Sequence, residues 1–423
     1  MEIKGIIVAG DSKGTVMKNN TIKNIISLYG LSIAKIVFPL ITLPYLTRIL
    51  TVDTYGSVSY VKTIMSYFQT IIDFGFLLSG TKDIIMAKDN KNALAKELGD
   101  ILLAKIIIAL LAFVCLLVLA NIMPIMQGYE VYGVLSFVPL VLSMFLHDHL
   151  FRGMEIMHII TIRFFLTKGI STILTLVFVK GDADVYWIPT LDIVSSLIAV
   201  GLVAVKIKQL QIMVKISSVR NAIKKLKESA VYFASNMTTT IFAAFNTLII
   251  GTYLQASDVA YWTICIQIIG TIQALYAPII DGVYPSMIRT KERRQIQRIL
   301  LIIMPVIVVG TGITFFASEI ALLIVGGQKY IGAVPILRIL TSVLLFGFPV
   351  MLLGWPTLGA IGRQQSVTNT TFFAACFQAS GLLLLALFGK FTLVNIALVR
   401  GATEIAFFLS RLWCCGKYRH QFN

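Results

Sequence analysis

Lys35 and Lys62 lie within long apolar runs, where a bare ammonium has no ordinary place. In hydrocarbon it costs roughly 3 kcal/mol or more unless it reaches the interface, pairs with a carboxylate or faces water. Lys35 is too central to reach the interface, so it either pairs with an acid such as Asp73 or forms an anion-attracting wall. Two lysines on a cavity of low effective dielectric would hold a diphosphate far better than bulk water does. Arg400 and Glu404 pose the same choice at i, i+4 in the last run: a self-satisfied pair, or an arginine that also faces a cavity.

Polar stripes accompany these charges. Ser59, Lys62, Ser66, Gln69 and Asp73 recur at spacings of 3, 4, 3 and 4, which puts them on one helical face. Tyr232, Asn236, Thr239, Ala243 and Asn246 repeat at 4, 3, 4 and 3. Thr263, Gln267, Thr271, Ala274 and Asp281 share roughly one side of another run, bent by Pro278 and Pro285. Ser32, Lys35 and Thr42 stripe the first run, beside Pro39 and Pro44. A single striped helix could be bonded to a neighbour. Four of them, the first two of each half, fit a water-filled cavity better.

Catalytic and metal-binding groups are poorly represented. His147-Asp148-His149 resembles a metal site, but residues i and i+2 diverge by about 200° on a helix. No GxSxG, HExxH or DxD-like constellation sits beside a plausible membrane face. The five cysteines form no CxxC pair and no disulfide framework. No cofactor is expected, other than H⁺ or Na⁺ coupling at Asp73, Asp281 or Glu404.

The elements that must hold these residues are transmembrane helices. Of the 423 residues, 57% are hydrophobic and 13% charged, with mean hydropathy +0.86. A soluble domain carries about 25% charged residues. At about 20 residues per crossing, spanning runs lie near 25–49, 55–79, 98–120, 131–150, 160–179 and 185–205. Six more lie near 229–253, 258–286, 299–325, 331–359, 369–389 and 391–413. The expected fold is all-α and integral to the membrane: about twelve helices in two six-helix bundles (21–206 and 229–413) around a central cavity. A basic linker, 207–228, joins the bundles, and 414–423 forms a tail.

The net charge of +16 has a topological explanation. With the N-terminus inside, alternate loops hold Lys82, Lys88, Lys91 and Lys96, then Lys206–Lys227, then Arg289–Arg298 and the C-terminal tail. Arg48, Lys180, Lys329 and Lys390 are the main outside basic residues. This is positive-inside asymmetry, with both termini cytoplasmic, and it leaves no need for a nucleic-acid partner. Residues 1–20 hold an apolar stretch too short for a signal peptide and lack the Lys-Ser/Thr of a P-loop. They resemble the opening strand and loop of sugar-nucleotide nucleotidyltransferases, without the rest of that fold. The expected translation start is Met17.

Pro44-Tyr45-Leu46-Thr47-Arg48-Ile49-Leu50, Tyr55-Gly56, Ser66-Tyr67-Phe68, Asp73-Phe74-Gly75-Phe76 and Thr81-Lys82-Asp83-Ile84 resemble the N-terminal signature of Wzx-type bacterial polysaccharide and O-antigen flippases. Tyr284-Pro285, Lys329-Tyr330 and Ala333–Leu340 resemble the same family more loosely. The resemblance runs from about Met17 to the C-terminus and implies membership of the multidrug/oligosaccharidyl-lipid/polysaccharide exporter superfamily. In related lipid flippases helices 1, 2, 7 and 8 line the cavity, the same four that carry the stripes. It implies a plasma-membrane protein whose substrate is an undecaprenyl-diphosphate-linked oligosaccharide. That substrate is flipped for O-antigen, capsule or exopolysaccharide assembly, with a polymerase and a chain-length regulator as partners besides membrane lipids. Lys35, Lys62 and Arg400 then attract the diphosphate. Ser59, Ser66, Gln69, Asn236, Thr239, Asn246 and Gln267 line the cavity. Arg48 and Asp83 belong to gates or loops.

Two other readings remain. A cation-coupled drug exporter would want an acidic cavity, whereas the first two helices carry lysines. A membrane glycosyltransferase or polymerase would need catalytic groups on a large outside loop, and the outside loops are all short.

Overall fold

The structure is a computed structural model. It describes residue 27 and residues 29–422, with the side chains of Ser235, Asn236 and 238–244 excepted. The expected start at Met17 lies outside the described residues. Sixteen α-helices follow one another among the described residues, and no strand: α1 (Tyr29–Ile49), α2 (Val52–Asp73), α3 (Phe76–Ala87), α4 (Lys91–Ile122), α5 (Glu130–Ser143), α6 (Asp148–Gly153), α7 (His158–Phe178), α8 (Trp187–Gln209), α9 (Val219–Tyr253), α10 (Ala256–Gln273), α11 (Ala277–Thr290), α12 (Arg293–Phe316), α13 (Ser318–Val325), α14 (Val334–Leu352), α15 (Gln364–Leu387) and α16 (Leu393–Lys417).

Among the described residues, ten helical segments are long and apolar enough to cross a membrane. The striped helices α2 and α9 are not among them, but at 22 and 35 residues they have the length for the two remaining expected crossings. Helices whose outer faces are covered with large exposed aliphatics are at home only in lipid. Leu110, Leu111 and Val114 on α4 and Leu301, Ile302 and Val306 on α12 are examples.

The chain forms two compact units, one of residues up to Tyr45 with Val61–Ala243, the other of Leu46–Tyr60 with Ala244 onward. In the first, α3, α4 and α6 pack through Ile84, Leu94, Leu98 and Leu150, and α6–α8 meet around Phe151, Ile160 and Val203. In the second, α11, α12 and α14 enclose Tyr276, Met287, Ile296, Ile307 and Phe348.

Breaks in the helices follow from particular residues. Between α2 and α3, Phe74 and Gly75 both take positive φ, 41° and 75°. A Cβ on Gly75 would lie 2.7 Å from Tyr232 Cβ, so only glycine satisfies both the backbone and the close approach of α9. A Cβ on Gly56 would lie 1.8 Å from the Ala256 carbonyl oxygen, where α2 crosses the start of α10. The bend expected at Pro278 is a 3₁₀ turn at Ala274–Tyr276, with the proline in the first turn of α11. α14 ends in a wide turn over Leu353–Gly359, where Gly354 departs from helical geometry and Pro356 lacks an N–H.

Candidate functional site

The first unit contains a polar tract assembled from six of its helices. One cavity of about 270 Å³ is lined by Lys62, Gln69, Tyr132, Ser136, Lys168 and Asp192. A second, of about 110 Å³, shares Gln69 and adds Asp73, Lys105, Ser143, Asp148 and His149. Gln69 joins them: its Nε2 donates to Asp73 Oδ2 at 2.9 Å and to Ser143 Oγ at 3.2 Å. Helical spacing brings this about, because Lys62, Gln69 and Asp73 occupy one stripe of α2.

Each carboxylate of the tract has a cation. Lys105 of α4 reaches Asp73 at 2.9 Å, Arg163 of α7 grips both oxygens of Asp148 at 2.6 and 3.1 Å, and Lys168 stands 3.4 Å from Asp192. Ser171 Oγ also donates to Asp192 at 2.8 Å. These carboxylates are only partly buried, and pairing with hydrogen bonding offsets the water they lose. Four cations (Lys62, Lys105, Arg163 and Lys168) thus face three carboxylates, and with neutral histidines the tract is positive by one. Lys62 stands on the cavity wall close enough to Asp192 and Lys168 to feel both charges. An anion entering here meets two lysines whose single acid already carries a share of both.

The second unit has its own buried chain. Thr403 Oγ1 donates to Gln378 Oε1 at 2.7 Å, and Gln378 Nε2 donates to Asn246 Oδ1 at 2.9 Å; all three side chains are buried. One turn away, Arg400 pairs with buried Glu404 at 2.5 Å. The expected i, i+4 pair therefore forms. Arg411, in the last turns of α16, is buried. It donates to the Val350 carbonyl, freed where α14 breaks, and to Thr371 at 3.2 Å, and lies 4.3 Å from the Phe407 ring centre.

The remaining expected residues are distributed as follows. Lys35 is on an exposed face of α1, and the carboxylate expected for it, Asp73, is taken by Lys105. Ser59 is buried against Tyr55. Ser66 is exposed and donates to the Thr63 carbonyl of its own helix at 2.7 Å. Gln267 is half-buried on α10, with Oε1 buried, and Asp281 is exposed on α11. Asn236 and Thr239 belong to α9, with side chains outside the described residues. Arg48 donates to the Ile324 carbonyl at 2.8 Å, capping the end of α13, while Lys329 binds the carbonyls of Arg48 and Leu50 at 2.9 and 2.6 Å. His147 has φ 46° and starts a new helix, so its ring and that of His149 sit 5.8 Å apart. Among the described residues no group of three His, Cys, Asp or Glu could hold a metal ion.

Asp83 takes part in an ion cluster before the α9 span. Lys225 Nζ lies 2.7 Å from Asp83 and 2.6 Å from Glu97. Burial opposes the Lys225 charge, but the two carboxylates outweigh it and hold the ammonium above its ordinary pKa of 10.5. Beside it, Asp100 accepts from Ser217, and the Lys215 N–H donates to the Ala95 carbonyl at 2.9 Å. The basic linker is thereby fastened to α3 and α4.

Lys105, Asp148, Arg163, Lys168 and Asp192 fall outside the polar stripes. For Lys105, Lys168 and Asp192 a signal exists: each is a charge inside an apolar run, the criterion that identified Lys35.

Comparison with known proteins agrees with this architecture. Two curated relatives carry the name "Putative O-antigen transporter". The one from Shigella dysenteriae is 29% identical over 63% of this chain and 67% of its own length. The one from Escherichia coli K12 is 24% identical over 66% and 68%. An inward-facing multidrug resistance transporter of the MATE family superposes with TM-score 0.68 at 13% identity, covering 92% of this chain and 98% of its own. A Vibrio cholerae MATE transporter gives 0.59, also at 13% identity, covering 95% and 98%; at such identities the likeness is one of fold. The "Polysaccharide biosynthesis protein" family model matches residues 21–291, well over half the chain, so the chain belongs to that family.

Proposed function

We propose that the protein flips undecaprenyl-diphosphate-linked oligosaccharide repeat units from the inner to the outer leaflet of a bacterial plasma membrane. The product would serve O-antigen, capsule or exopolysaccharide assembly, handed on to a polymerase and a chain-length regulator, with both termini of the flippase cytoplasmic. The observation that carries the reading is Lys62, placed by a membrane helix on the wall of a cavity of about 270 Å³, in a tract with a positive excess. A diphosphate suits that charge, whereas an organic cation does not. The polar linings of both units, and the names of the relatives, support a saccharide cargo.

In this reading Lys35, Lys62 and Arg400 attract the diphosphate during alternating access. Ser66, Gln69, Asn236, Thr239 and Gln267 hydrogen-bond sugars, buried Asn246 serves its bond with Gln378 instead, and the polyprenyl tail stays in lipid. Asp73 and Glu404 are the coupling carboxylates best placed by their partners: protonation or Na⁺ binding at either would weaken an existing ion pair, to Lys105 or Arg400. The protein acts as a transporter rather than an enzyme.

Proteoliposomes holding an undecaprenyl-diphosphate oligosaccharide test this directly. The purified protein should expose the glycan to an external lectin, and Lys35→Gln/Lys62→Gln should reduce that rate at least tenfold with insertion unchanged. Undiminished transport by the double variant would remove the lysines from the substrate path.

A further inference from the structure

We infer that the segment from Met213 to Glu228 is a docking surface for anionic phospholipid headgroups at the membrane surface. The first turns of α9 have two distinct sides. Ala222, Lys225, Leu226 and Ser229 turn inward: Ala222 and Leu226 pack on Phe76, Ile101 and Ala104, Lys225 holds Asp83 and Glu97, and Ser229 meets Ser79 at 2.5 Å. The other side is exposed. Around the helix it presents Val219 and Ile223, then Lys227, Arg220 and Lys224, then Glu228, because spacings of three and four residues share a face. Arg220, Lys224 and Lys227 border a concavity of about 490 Å³ with Asn221 and Ile223.

Three features select a lipid surface as the occupant. The acids that could neutralise the face are engaged elsewhere: Asp83 and Glu97 belong to Lys225, and Asp100 is taken by Ser217. Glu228 alone approaches, 3.8 Å from Lys224 at the edge of the face. Next to the basic residues, Met213, Val214, Ile216, Val219 and Ile223 are exposed, an unusual density of aliphatics for a surface that meets only water. Basic residues over buried aliphatics are the pattern of a segment lying at the headgroup level. Finally, the same helix continues directly into the crossing that ends at Tyr253, so this face lies within two or three turns of the hydrocarbon. Its fastening through Lys225 holds the basic side outward. An acidic protein would satisfy the charges but leave the aliphatics in water.

The test is hydrogen exchange of the full chain in nanodiscs of phosphatidylcholine alone or with phosphatidylglycerol. Anionic lipid should slow exchange in 213–228 about tenfold, an effect screened by salt. Arg220→Gln/Lys224→Gln/Lys227→Gln should remove the protection, while Lys224→Arg/Lys227→Arg retains it, separating charge from misfolding. Exchange indifferent to lipid charge would overturn the inference. So would protection that survives the triple glutamine variant, or that arises only when an acidic protein is added.

Discussion

The ion pairs of the first unit show how far residue spacing alone can reach. Periodicity placed Lys62, Gln69 and Asp73 on one face, and they do converge on one pair of adjoining cavities. The same stripe included Ser59, which is buried against Tyr55. A polar face has the same period whether it meets water or a neighbouring helix. Partners from other helices were not legible, since Lys105 and Asp192 are isolated in sequence and are recruited by packing. The Asp73–Lys105 pair makes a quantitative test. Lys105 is buried while the Asp73 side chain is 45% exposed, so replacing the aspartate strands the lysine at a larger cost than the reverse, and replacing both is less costly than replacing Asp73 alone. Asp73→Asn should therefore lower the melting temperature in detergent by several degrees and Lys105→Met by less, and the double variant should recover part of the Asp73→Asn loss. Additive losses in the double variant would mean that the two do not act as a pair.

At the scale of the element, the prolines were informative and the glycines only partly so. Pro278 marked the break between α10 and α11 because it removes an N–H wherever it stands. The turn after α14, which buries Arg411, carries Gly354 and Pro356 as a local mark, whereas the positive φ at His147 left none. Gly75 combines a positive φ with an approach that admits no Cβ. Gly75→Ala should destabilise the protein by more than about 1–2 kcal/mol, the cost of the left-handed backbone by itself, read as a fall in melting temperature; an unchanged melt would contradict the geometry. The linker's fastening is equally testable. Lys225→Gln should increase subtilisin cleavage within 206–228. Because the native pKa of Lys225 is raised, its contribution is complete below pH 10.5 and lost as pH climbs through the higher native value. Cleavage of the wild type should accordingly rise only above about pH 10.5, and a rise beginning near neutrality would exclude Lys225 as its origin.

For the whole molecule, composition and the lengths of the apolar runs made an all-α membrane protein legible, since only hydrocarbon accommodates so much exposed aliphatic surface. The boundaries of the two compact units fall inside α1, α2 and α9, which a hydropathy profile treats as continuous. The family was readable from the motif blocks around Arg48, Gly75 and Asp83. The structure gives these residues concrete positions: a helix cap, a forced kink and the anchor of the linker. The central claim is transport of a lipid-linked glycan. It is tested most directly by expressing the protein in a bacterium that lacks its own polysaccharide flippase but carries the matching glycan pathway. The account predicts restored surface polymer and clearance of undecaprenyl-linked repeat units from the inner leaflet. Well-inserted protein that restores no polymer across a panel of glycan pathways, while conferring resistance to cationic drugs, would contradict it.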